Sequence, residues 1–230
     1  MRPAPRLSVV VGSHNARATA AECLDALTRQ CAAHEAELIV VDNSDDGTAG
    51  VIRARFPGVR LIETREHAHI PELWAVGIRA STGAVVALTT AHCVPGPGWV
   101  RGTLEAHAQA YPGIGGAIDN HPAAGWAGWA IFFCRYSQYM RPFPEATNDE
   151  IAADNASYKR WALERYREAW RHGFWEPTVH AEMRRDGYEL LRTPGVVVYH
   201  KRSFTARGFV RNRFSHGRQF GRDRAAGLGG

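Results

Sequence analysis

A chain of 230 residues, 45% hydrophobic and 22% charged, carries enough apolar material for a proper core and excludes a disordered or collagen-like polymer. No apolar stretch reaches the ~20 residues that span a bilayer, and Ser13-His14-Asn15 interrupts the N-terminal run, so MRPAPRLSVVVGSHNA reads as a first strand and not a signal peptide. The net charge of +5 is lopsided: residues 201–230 hold eight Lys or Arg against one Asp, which points to a local basic patch and away from a body-wide nucleic-acid surface.

The elements alternate along the chain. LSVVVG, residues 7–12, is a short β-branched run ending in turn residues. Residues 17–33 follow a helical period, with Ala21, Leu24, Leu27 and Cys31 on one face. ELIVVDNSDDGT supplies strand two and a polar turn, AGVIRARF a helix stopped by Pro57-Gly58, and VRLIET strand three. IPELWAVGIRAST predicts a helix from about Pro71 to Gly83, and GAVVALTT strand four. PGWVRGTLEAHAQAY predicts another helix, and IGGAID a fifth strand. Strands alternating with helices imply a mainly parallel sheet with right-handed crossovers. Ligands of such sheets bind beyond the carboxyl ends of the strands, which places His14, Asp42-Asn43, Glu66 and Thr90–His92 on one rim.

The second half is less regular. Trp126, Trp129, Phe133 and Tyr136 repeat at helical spacing in residues 126–143, either as core or as a platform on which an acceptor sugar stacks through Trp126 and Trp129. Residues 155–170, NASYKRWALERYREAW, predict a helix. Residues 173–187 read as a loop running into a helix, and YELLRTPGVVVYH as a closing strand that ends at His200. Cys23, Cys31, Cys93 and Cys134 show no CxxC spacing and read as reduced thiols.

Two nucleotide fingerprints are absent. No GxGxxG follows the first strand, which argues against NAD or FAD, and no GxxxxGK[ST] occurs. VVDNSDDGT offers a strand-end carboxylate, Asp42, that suits a base N–H, and equally an Asx-rich turn capping the next helix.

The order LSVVVGSHNARATAAECLDAL, ELIVVDNSDDGT, GIRASTGAVVALTTAHCVPGPGWV resembles the N-terminal half of a family-2 glycosyltransferase with the GT-A fold. ADNASYKRWAL and GFWEPTVHAEMRRDGYELLRTPGVVVYH resemble its acceptor-side and catalytic segments more loosely. The resemblance implies transfer of a sugar from a nucleotide diphosphate, UDP by family default, to an acceptor hydroxyl with inversion. It implies that Asp42 and Asn43 hold the nucleotide and that Ser13, His14 and Asn15 pack against the base. The chain departs from the pattern at Thr90-Ala91-His92, where the family carries its DxD, and at Trp74-Ala75, where it carries an Arg and an Asn. Its Glu-Asp pair aligns with Trp175-Glu176, so one acid remains.

Glu176 is the expected base, its apolar neighbours raising its pKa, or else a helix N-terminal acid that favours the dipole. Asp154 is the reserve base or a helix cap, and His180, four residues after Glu176, shares its helix face as a catalytic candidate that orients that carboxylate or contacts the acceptor, or else is plain surface. His92 and His200 are a candidate metal pair for a divalent cation such as Mn or Mg, or else structural strand-end histidines. In the tail, Arg207, Arg211 and Arg218 are candidates for the diphosphate; the same segment also suits an anionic membrane surface or a solvated helix.

The expected architecture is a nucleotide-sugar-binding half over 1–118, an acceptor-binding and catalytic half over 119–200, and a basic tail over 201–230. The expected protein is a cytoplasmic enzyme, peripheral at the membrane, of cell-envelope, polysaccharide or glycolipid synthesis, with a glycan, lipid or other hydroxyl acceptor. Its rivals are a catalytically degenerate nucleotide- or glycan-binding module of the same fold and a nucleotidyltransferase, for which SHNARATAA is a poor phosphate loop.

Overall fold

β1 (Leu7–Ser13) is the centre of a parallel quartet, flanked by β2 (Glu37–Asp42) and β4 (Val85–Thr90), with β3 (Arg60–Glu63) beyond β2. The computed structural model describes residues 5–64, 68–122 and 124–201, with Val210, Arg211, Phe214, Gly217, Arg218 and Gly221 in the tail. α1 (Ala20–Ala33), α2 (Thr48–Arg55) and α3 (Ile70–Ala80) make the crossovers. The first strand is buried at every position because both its faces are covered. Leu7, Val9 and Val11 pack with Leu24 and Leu27 of α1, while Val10 joins Trp74 and Ile78 of α3 on the other face. α3 comes this close because Gly77 meets β1: a Cβ there would lie 2.2 Å from Val10 Cγ1.

The other half of the sheet turns antiparallel. β8 (Asn155–Lys159) runs against β4 on one side and β6 (Gly113–Asn120) on the other. β9 (Leu190–His200) lies parallel to β6 and takes β5 (Cys93–Pro95) and β7 (Ala146–Asn148) antiparallel. The full order is β3-β2-β1-β4-β8-β6-β9-β5. α4 (Trp99–Ala106), α5 (Trp126–Tyr136), a single 3-10 turn at Ser137–Tyr139, α6 (Arg160–Arg165), α7 (Arg167–Trp170) and α8 (Glu176–Arg185) complete the chain. One sheet therefore runs through both expected halves, and the boundary at 118/119 falls inside β6.

The structure corrects two expectations about local structure. Residues 155–159 are strand, and the helix predicted over 155–170 begins only at Arg160. Asn155 decides this. Its buried amide donates to Ala117 O at 2.7 Å and Val196 O at 3.0 Å, and accepts from Trp99 Nε1 at 2.8 Å. A bulge at Gly115/Ala117 opens the room, and a Cβ on Gly116 would sit 2.3 Å from that amide nitrogen. Three long-range bonds outweigh the local helical preference of the segment. The second correction is β5, which forms between strand four and the next helix where no strand was read; Cys93 and Pro95 pair with His200 and Val198.

Candidate active site

The carboxyl ends of β1 and β2 form one laced rim. Asn43 N–H donates to Ser13 O at 3.1 Å, and His14 Nδ1 donates to Asn43 Oδ1 at 2.8 Å. Asn43 Nδ2 reaches on to Ala68 O at 2.7 Å. Asn15 sits at φ 49°, a left-handed conformation that Asn tolerates. This turns its N–H toward Ser44 Oγ at 2.8 Å and lets its Oδ1 accept from Asp45 N–H at 3.1 Å. Asp42 is buried and closes an Asx turn, accepting from Ser44 Oγ at 2.6 Å and Ser44 N–H at 3.2 Å. The turn of the second reading exists, and it holds the loop in one shape at the strand ends. The Ser13 side chain is fully buried, so its part in this rim is played by its carbonyl. Glu66 lies outside the described residues.

A second cluster forms where β4, β8, α5 and α8 meet. Asp154, just before β8, is the hub. Its Oδ2 accepts from Tyr136 O–H at 2.9 Å, its Oδ1 faces Thr90 Oγ1 at 3.4 Å, and its carbonyl accepts from Thr89 Oγ1 at 2.9 Å. Glu176 opens α8, and its Oε1 accepts from Ala153 N–H at 3.1 Å. Desolvation raises its carboxyl from the ordinary 4.5 to about 7; its own and Ala153's N–H groups oppose this, and the Asp154 carboxylate adds to it. Burial therefore outweighs the helix N-terminus, which favours the anion. A group poised near neutrality beside an ionisable partner is suited to accept a proton.

Sequence reasoning missed Arg135, the half-buried last cation of α5. Its guanidinium lies 4.7 Å from the centre of the Tyr136 ring. Burial works against its charge, but Tyr136, Asp154, Cys93 and Glu176 together outweigh burial and hold its pKa above the ordinary value. The signal in the sequence was the helical spacing that ends at Tyr136, which singled out the aromatics and passed over their neighbour.

His180 departs from its expected role as a partner of Glu176. It is fully buried, accepts from Tyr158 O–H at Nε2 (2.9 Å) and donates from Nδ1 to Glu150 Oε2 (2.7 Å). Both ring nitrogens are thereby occupied in a relay beneath the site, and the plain-surface alternative is excluded as well. The aromatic helix divides: Phe132 and Tyr136 are core, Trp129 packs edge-on against Phe132 with ring centres 5.8 Å apart, and Trp126 stands 87% exposed. Of the tail arginines, Arg211 and Arg218 lie on exposed helical positions and Arg207 lies outside the described residues. β9 delivers the tail at the rim, since His200 pairs with Cys93 and Lys201 N–H donates to His92 O at 2.8 Å.

The model of the family described as glycosyl transferase family 2 matches residues 8–167. The chain belongs to glycosyl transferase family 2. No curated protein matches it in sequence. Among solved structures it is similar to the mannosyltransferase PcManGT from Pyrobaculum calidifontis in complex with GDP-Man and Mn2+, with 21% identity, a TM-score of 0.63, and coverage of 90% of this chain and 59% of that one. It is also similar to S. aureus TarS 1-349, at 13% identity and a TM-score of 0.60, covering 85% of this chain and 60% of that one. The same TarS region in complex with UDP-GlcNAc gives 12% identity and a TM-score of 0.63, with coverage of 89% and 60%. The chain thus spans about 60% of the length of these structures. The fold is GT-A, as the resemblance implied.

Against that family background the segment Thr90-Ala91-His92 is a poor fit for a divalent ion. The Thr90 hydroxyl faces Asp154 and Cys93, and Ala91 is buried with no ligand atom. His92 and His200 do come together, edge to face with ring centres 6.3 Å apart, and both are buried. Cys93 stays a neutral thiol, because burial first and the Asp154 carboxylate next push its pKa well up. Among the described residues no group of three or more His, Cys, Asp and Glu side chains is arranged to hold a metal ion. Trp74, at the family's arginine position, is buried under the rim and donates to Thr89 O at 2.7 Å, so it brings no charge to a diphosphate.

Proposed function

We propose that this protein is a glycosyltransferase that moves a sugar from a nucleotide diphosphate, with UDP the first candidate, to an acceptor hydroxyl. Family membership and the paired rims support the reading, and the observation that carries it is Glu176, anchored on Ala153 N–H beside Asp154 at the ends of the central strands. In the transfer, the acceptor oxygen attacks the anomeric carbon, and the bond from that carbon to the phosphate oxygen breaks. The electron pair leaves on the diphosphate, and the acceptor proton passes to Glu176. A single displacement of this kind inverts the anomeric centre. Burial keeps Glu176 basic enough to take the proton, and Asp154, fixed by the Tyr136 hydroxyl, is the neighbouring carboxylate that adds to this.

The loops after β1 and β2 are the proposed nucleotide cleft, with His14, Asn15, Asp42 and Asn43 as its wall. The exposed Trp126, with Trp129 beside it, is the proposed acceptor platform. Divalent-ion dependence would require the donor's own phosphate oxygens to complete the shell, since the protein's donor set is thin; PcManGT is the neighbour solved with Mn2+. Among the described residues no helix is long and apolar enough to cross a membrane. The +7 tail supports a peripheral position on an anionic membrane face, where envelope polysaccharide or glycolipid acceptors reside.

A thermal-shift and turnover panel of UDP-, GDP- and dTDP-sugars, each with EDTA, Mg2+ or Mn2+, tests this reading. One nucleotide series should raise the melting temperature with concentration and release its diphosphate on turnover. The missing DxD carboxylates favour a second reading, a binding module without turnover. Binding with no turnover on any donor would establish that reading, and binding by none would sink both.

A further inference from the structure

We propose that Arg135 is the cation that holds the donor diphosphate, the task that the residues at Thr90-Ala91-His92 leave undone. This rests on the glycosyltransferase reading. The geometry begins at the end of β4. Thr90 stands at the family's first carboxylate position, and its hydroxyl faces Asp154 at 3.4 Å. The other oxygen of Asp154 accepts from Tyr136 at 2.9 Å, so the last turn of α5 is fastened to this spot. Arg135 is one residue back, with its guanidinium 4.7 Å from the Tyr136 ring centre.

Three further observations support the assignment. Arg135 is half-buried, and among the described residues it makes no hydrogen bond or ion pair. A partly desolvated guanidinium has five donors to satisfy, and their natural complement is a bidentate phosphate. Three neighbouring cations among the described residues are engaged elsewhere: Lys201 with Glu22, Arg141 with Asp119, and Arg17 with the Asp46 carbonyl. Finally, the departing diphosphate gains negative charge as the glycosidic bond breaks. A fixed positive charge in a partly dry site acts on that change without reorganising. Asp154 and Tyr136 hold the arginine's end of α5 in place, and the Asp154 carboxylate helps to keep its charge on against burial.

The test separates the phosphates from the base. Affinities of the full chain for uridine, UDP, guanosine and GDP are measured by calorimetry in EDTA and again with MnCl2, for the wild type, Arg135→Gln and Arg135→Lys. In EDTA one diphosphate should bind at least tenfold more tightly than its nucleoside. Arg135→Gln should lose about tenfold for the diphosphate and stay within twofold for the nucleoside. Arg135→Lys should recover part of the loss, which a packing role for the side chain would not give. Diphosphate affinity unchanged in the Gln variant overturns the assignment. So does a wild type whose preference for the diphosphate appears only with Mn2+. If no nucleoside or diphosphate binds at all, the glycosyltransferase reading falls with it.

Discussion

The two rims of the sheet are built on different physics. At the ends of β1 and β2 the side chains are tied to backbone and to one another by short bonds, as in Asn43 to Ala68 O, Asn15 to Ser44 and Ser44 to Asp42. At the ends of β4 and β8 two carboxylates, a phenol and a guanidinium share a partly dry volume, and burial lifts the pKa values of Glu176 and Tyr136. A rim that must recognise a constant group benefits from a rigid, well-laced loop. A rim that must move a proton benefits from groups whose charge is unsettled near neutral pH. The contrast assigns binding to the first and chemistry to the second, and substitutions on each side test the division.

The largest effect is expected from Glu176→Gln. It should lower the transfer rate by about 10²- to 10⁴-fold while donor affinity, read by calorimetry, stays within a few-fold. In the wild type, the rate should rise with pH and level off above about 7, the pKa to which burial lifts this carboxyl. A Gln variant that keeps the wild-type rate would move the base elsewhere, with Asp154 next in line.

The same residue makes a stability prediction with a definite sign. Glu176 keeps its proton in the folded protein up to about 7, whereas the unfolded chain releases it near 4.5. Its contribution is therefore complete below pH ~4.5 and is lost as pH rises through about 7. Part of the residue remains open to solvent, so the loss is on the order of 2 kcal/mol. Glu176→Gln should flatten this part of the melting-temperature profile and melt above the wild type at pH 8. Parallel profiles for the two proteins would mean that the carboxyl is not desolvated.

On the binding side, Asn43→Ala removes an acceptor from His14 and a donor to Ala68 O. The loss of two neutral bonds loosens the loop and should weaken nucleotide binding by about tenfold. The maximal rate at saturating donor should change little. A variant that lost rate and kept affinity would reverse the assignment of the two rims.

The first rim was the more legible one. Apolar runs buried on both faces announce β1, β2 and β4, and the polar clusters at their ends announce the loops. The signal for these elements is local because burial writes an apolar run into each strand, although the bonds that lace their ends, such as His14 to Asn43 and Asn43 to Ala68, span 25 to 29 positions. The second rim depends on contacts across 18 to 65 positions, such as Tyr136 to Asp154 and Thr89 to Asp154. Glu176 was singled out through its motif neighbourhood, and its apolar surroundings in WEP suggested the upward pKa shift that burial gives it. Arg135 was missed because its importance comes from where α5 ends in space. His180 shows the converse error: spacing put it on the face of Glu176, but Tyr158 and Glu150 claim both its nitrogens. Asn155 fails in the same way, since no local pattern reveals that its amide will bridge β6 and β9.

The smallest expected effect on the fold separates an acceptor platform from core packing. Trp126 is 87% exposed at the first turn of α5, so its ring adds little to folding. Trp126→Ala should change stability by no more than about 0.5 kcal/mol. An exposed indole that serves no packing purpose is still a good surface for a sugar ring or a lipid interface, because its face is apolar and its N–H is polar. The apparent affinity for the acceptor should therefore fall while donor affinity and melting temperature hold. Trp129→Ala, by contrast, should lower the melting temperature as well, since that ring packs against Phe132 in the core. If both variants melt early and neither alters acceptor use, α5 is a structural strap, and the second rim must find its acceptor contacts on other elements.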